Sequence, residues 1–102
     1  MNNNYLLKEL ADLESLREKY MGTWDEDHFK REIYFLKKRI ESLSTIEGLK
    51  TELDKIQAEY DRAVEYRDVF KGKKKRREIE KKEIEPRLVI INEIKEEISK
   101  KL

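Results

Sequence analysis

The chain contains no cysteine, one proline, three glycines and one histidine among its 102 residues. Without cysteine there is neither a disulfide framework nor a thiolate metal site, a composition compatible with a reducing compartment. With so few chain-breaking residues, long helices are expected. The longest apolar run, Leu88 to Ile91, falls far short of the roughly 20 residues that a membrane span needs. The opening Met1-Asn2-Asn3-Asn4 also lacks the basic start of a secretory signal. A soluble protein with no membrane partner is therefore expected. Net charge is nearly absent as well: 24 basic and 23 acidic side chains leave +1. No global field selects nucleic acid, membrane or acidic ligand, so any electrostatic recognition is local.

Charged residues make up 46% of the chain and hydrophobic ones 37%, and the apolar positions recur at helical spacing. Leu6, Leu10, Leu13, Leu16 and Tyr20 form one stripe, which Gly22 ends. Thr23 and Glu26 have the spacing of a capping box, and Trp24 and Phe29 that of a hydrophobic staple. A second helix is therefore predicted from about residue 25. Its seam is Phe29, Ile33, Leu36, Ile40 and Leu43. The next boundary has two readings, a capping box of Ser44 with Glu47 or a terminating Gly48.

A third helix is predicted with Leu49, Leu53, Ile56, Tyr60, Ala63, Tyr66 and Phe70 on one face, stopping at Gly72. The fourth has to accommodate Pro86, either by kinking there or by starting there. Its stripe is Leu88, Ile91, Ile94, Ile98 and Leu102. The expected fold is all-α: two tandem helix-turn-helix hairpins, residues 1–48 and 49–102, packed antiparallel about one shared core.

The hairpins also read as an internal repeat. Tyr20, Leu16, Leu13, Leu10 and Leu6 precede Gly22 by the offsets at which Phe70, Tyr66, Ala63, Tyr60 and Ile56 precede Gly72. Downstream, Lys30-Arg31-Glu32-Ile33 resembles Lys81-Lys82-Glu83-Ile84, with a shift one residue longer.

The abundance of Lys, Glu and Ile, the single Gln57 and the lack of cysteine suit a protein of hot environments, where ion pairs cost less to desolvate. With the length, these features resemble the small proteins encoded by filamentous viruses of hyperthermophilic, acidophilic archaea. The resemblance implies a setting in the host cytoplasm or the virion, and it transfers no activity and no catalytic residue.

Little in the chain points to catalysis. His28 lies near Asp25, Asp27 and Glu32, but acidic residues in a first turn already complement the helix dipole. No serine or threonine sits in a nucleophile elbow, and no glycine-rich loop is available to cradle phosphate. A non-enzymatic protein without metal or cofactor is expected.

Two features point to binding. Tyr34 and Phe35 adjoin the second seam and Val89 with Ile90 widens the fourth stripe beyond one face, and Trp24, Tyr60 and Tyr66 add to this apolar and aromatic excess. They are the candidate surface for a partner segment held between the hairpins, or for a second copy of the chain, with a broad core as the competing structural account. The other feature is the basic run of Lys71, Lys73, Lys74, Lys75, Arg76 and Arg77 about Gly72, which lacks interleaved aromatics in sequence. It is read as a solvated or internally paired turn lying beside the acidic turn 25–27, as a contact for an acidic partner protein, or as a nucleic-acid contact. The leading expectation is a protein-protein interaction module, and the alternative is a small nucleic-acid-binding protein using residues 71–77.

Overall fold

A computed structural model describes residues 3–102; helices joined by short turns make up nearly all of them, with no strand among the described residues. The helices are α1 (Asn4–Lys19), α2 (Asp25–Ser42), α3 (Ile46–Val69), α4 (Lys73–Ile79) and α5 (Glu85–Lys101). A π-helical turn, Glu80–Ile84, joins α4 to α5 without a break in helical backbone. The chain forms two compact units that divide between Thr45 and Ile46, three residues before the expected boundary. No helix among the described residues is long and apolar enough to cross a membrane.

In the first unit α1 packs on α2. The turn between them is built around Gly22. Gly22 takes φ +82, a left-handed conformation open to glycine and strained for other residues. The predicted capping box is replaced by a different division of labour. Glu26 reaches one residue further back, its Oε2 accepting from the Gly22 N–H at 2.9 Å. The Thr23 hydroxyl turns the other way and donates to the Tyr20 carbonyl at 2.6 Å, satisfying the end of α1. Asp25, Glu26 and Asp27 then occupy the first turn of α2, where the dipole favours them. Tyr20 and Phe29 stack across the turn with ring centroids 5.6 Å apart.

Leu6, Ile33, Leu36 and Leu43 are buried, whereas Leu10 and Leu13 are only half-buried and Leu16 is exposed. The α1 stripe is thus covered at one end only. A layer of two helices has too little surface to bury a whole five-residue stripe.

Ser44 does not cap α3, because its hydroxyl donates back to the Glu41 carbonyl at 3.0 Å. In the second unit α3 packs on α5, on α4 and on the π-turn. Ala63, Ile79 and Ile84 form a buried cluster, with Tyr60, Val64 and Phe70 packed against it. Leu49, Ile56, Ile91 and Ile94 are also buried. Tyr66, Leu88 and Leu102, expected in the stripes, are exposed instead.

Pro86 sits at the start of α5, the second of the two expected arrangements. It is the second residue of α5, directly after the π-turn. The Glu85 N–H donates to the Glu80 carbonyl, five residues back, so the helix is widened where the proline ring would meet the carbonyl four residues before it. The same widening explains the core. Ile79 and Ile84 are five apart, a spacing that a regular α-helix would place on different faces, and both are buried.

Candidate interaction faces and basic turn

Helix periodicity decides which aromatics of α2 meet solvent. Ile33 and Leu36 define its buried side, which turns the intervening Tyr34 and Phe35 away from it. Tyr34 is 57% exposed and Phe35 63%. Their rings meet edge to face with centroids 5.6 Å apart, a favoured aromatic geometry. Lys38, one turn on, holds its ammonium 5.7 Å from the Tyr34 centroid and lies 3.7 Å from Glu41 Oε2. Trp24, in the turn before α2, is 95% exposed, and Met21 at the start of that turn is exposed too. Five consecutive residues, Met21 to Trp24 of the turn and Asp25 at the start of α2, are all exposed.

Of the other residues named from sequence, Tyr66 and Val89 are exposed while Tyr60 and Ile90 are half-buried. Tyr60 belongs to the packing around Ala63, Ile79 and Ile84. The structure brings Tyr34 against Phe35 and Tyr66 against Phe70, the latter pair edge to face at 5.2 Å.

The basic run spans the end of the α3–α4 connection and the whole start of α4. Gly72 is extended, at φ -75 and ψ 129. No acidic side chain lies in the first turn of α4, where the dipole favours negative charge. Arg76 is partly neutralised, its Nη2 lying 3.4 Å from Asp68 Oδ1. Arg67 takes up the same carboxylate at 3.2 Å and Glu80 at 3.1 Å. The hydrogen bond to Asp68, reinforced by Glu80, raises its pKa above the ordinary arginine value. Lys75 places its ammonium 5.6 Å from the Phe70 centroid. Lys71, Lys73, Lys74 and Arg77 are exposed, and none forms an ion pair among the described residues.

One arrangement had no signal in the sequence beyond the presence of Pro86. Beside the π-turn, a recess of about 400 Å³ is lined by Glu59, Arg62, Ala63, Tyr66, Glu83 and Arg87. Arg87 Nη1 donates both to the Glu83 carbonyl at 2.9 Å and to its carboxylate at 2.8 Å. Its Nε lies 3.7 Å from Glu59 Oε2, beyond hydrogen-bond reach. Two acids face two arginines, so the recess carries no excess charge.

His28 is exposed and meets Phe29 edge-on. Among the described residues no three His, Asp or Glu side chains converge as a metal site requires. No family model matches the chain, and neither curated proteins nor solved structures show a match to it.

Proposed function

We propose that the protein is a non-enzymatic protein-protein interaction module whose partner presents an apolar helical face, a second copy of this chain being the partner its charge balance favours. The observation that carries this reading is the solvent-facing aromatic set of the first unit, Trp24, Tyr34 and Phe35. Such side chains are enriched at interface centres because they bury large areas at small entropic cost. A net charge of +1 leaves no long-range repulsion between copies. The surrounding charges, Lys38 and Glu41 among them, set the register of approach. The setting we propose, host cytoplasm or virion, follows from the resemblance to archaeal viral proteins.

The two units read as a duplication within this proposal. Leu6 and Ile56, Ile33 and Ile84, and Leu43 and Ile94 are buried at matching positions. The extra residue of the second copy lies before Lys81, where the π-turn Glu80–Ile84 takes up one residue more than an α-turn holds.

Trp24 is the single tryptophan and reports on the interface directly. At low concentration its emission is expected to be that of a solvated indole, freely quenched by acrylamide. As concentration rises it shifts to the blue and becomes protected. Emission and quenching that stay constant over the whole range contradict the proposal.

A further inference from the structure

We infer that the Phe70–Arg77 turn and the adjacent Tyr66 form a contact for single-stranded nucleic acid. This surface belongs to the second unit and shares no residue with the aromatic set of α2, so the two proposals stand or fall separately.

The argument starts from charge left over after internal pairing. Asp68 and Glu80 are committed to Arg67 and Arg76. Lys71, Lys73, Lys74 and Arg77 keep their charge in solvent with no carboxylate in ion-pair range among the described residues. Cations at the N-terminal end of a helix are disfavoured by its dipole, so nothing intrinsic to folding calls for them. The run itself contains no aromatic, but Phe70 directly precedes it and Tyr66 lies one helical turn before Phe70. Phe70 lies under the Lys75 ammonium, and Tyr66 meets Phe70 edge to face while keeping 51% of its surface exposed. A recess of about 170 Å³ lined by Tyr66, Lys75, Glu78, Ile79, Lys82 and Glu83 opens beside this ring.

Basic side chains around an exposed aromatic are what single strands need. Cations track the phosphates while an unpaired base stacks on the ring, with little dependence on sequence. An acidic polypeptide fits less well. Carboxylates are best gripped by the planar fork of arginine; Arg76 already engages Asp68 through Nη2, and three of the four unpaired cations are lysine point charges, Arg77 being the exception. A duplex offers no free base to stack on Tyr66.

The test is fluorescence anisotropy of a labelled oligothymidylate titrated with the intact protein at several salt concentrations. Four phosphate contacts predict that log K falls with log salt at a slope of about -3. The combined variant K71E, K73E and K74E should weaken binding at low salt at least about tenfold and flatten the slope by about 2. Tyr66→Ala should weaken binding about tenfold with the slope unchanged, since stacking releases no counterions. All four substitutions fall on exposed side chains, and unchanged far-UV circular dichroism verifies the fold. The inference is overturned by no binding at low salt, or by affinity that survives the charge reversal. It is equally overturned by polyglutamate displacing the oligonucleotide more strongly than unlabelled oligothymidylate does, which marks an acidic-protein face, or by equal affinity for duplex DNA with no effect of Tyr66→Ala.

Discussion

Arg87 donates from one nitrogen, Nη1, to both the backbone carbonyl and the carboxylate of Glu83, at 2.9 and 2.8 Å. Glu83 belongs to the π-turn and Arg87 follows Pro86, so this guanidinium closes the stretch of helix that the proline opens. The pair is partly solvated on both sides, which limits its contribution. Arg87→Ala should lower stability by about 1 kcal/mol. Chemical denaturation followed by circular dichroism measures this, and an unchanged midpoint contradicts it.

The π-turn itself is testable by removing its extra residue. Deleting Lys81 places Ile79 and Ile84 four apart, a spacing that keeps both on one face of a regular α-helix. Pro86 then falls within regular helix at a cost of about 3 kcal/mol. The deletion alone should destabilise the second unit, and Pro86→Ala should restore most of the loss. Full stability of the single deletion would show that the turn does not exist to accommodate the proline.

The turn glycines look equivalent in sequence and differ in structure. Gly22 has a positive φ, whereas Gly72 is extended, and a Cβ at either position meets nothing within 4 Å. Gly22→Ala should cost about 1 kcal/mol from backbone strain alone. Gly72→Ser should stabilise by about 0.5 kcal/mol, because it caps an uncapped helix and restricts the unfolded chain. Thermal unfolding of the two variants distinguishes them, and shifts of the same sign contradict the backbone geometry.

These glycines also show how far the sequence could be read. The apolar spacing located α1, α2 and α3 to within a few residues, since their 3.6-residue period is written in single side chains, whereas it gave α4 no bounds of its own. It was silent on which part of a stripe would be covered. Leu6 and Leu16 look alike in the pattern, yet only Leu6 is buried. Ile79 and Ile84 were missed as core because their five-residue spacing fits no regular helix. The basic run was legible as charge and Phe70 beside it as part of the α3 stripe, but the approach of Lys75 to that ring was not. Tyr66 meets the Phe70 ring as a neighbour one helical turn back, and only the turn at Gly72 brings Lys75 over the same ring.

Glu26 gives the first unit a defined response to acid. The hydrogen bond from the Gly22 N–H, with Lys30 3.5 Å away, holds its carboxyl below the usual glutamate range. A folded-state pKa below the unfolded one means that the stabilisation is complete above the unfolded pKa and is lost as pH falls through the folded one. Glu26→Gln should therefore lower the unfolding temperature at neutral pH, with the gap to wild type closing in acid. Curves that stay parallel down to the lowest pH would remove Glu26 from the account.

The proposed interaction is tested most directly by light-scattering mass across a concentration series, for the wild-type chain and for Phe35→Glu. One chain weighs 12.4 kDa. The wild type is expected to rise above that mass with concentration. Phe35→Glu, changed at a solvent-facing position, should keep its helicity and remain at the single-chain mass. A wild-type mass of one chain at every concentration, unaltered by the substitution, would contradict self-association through this face.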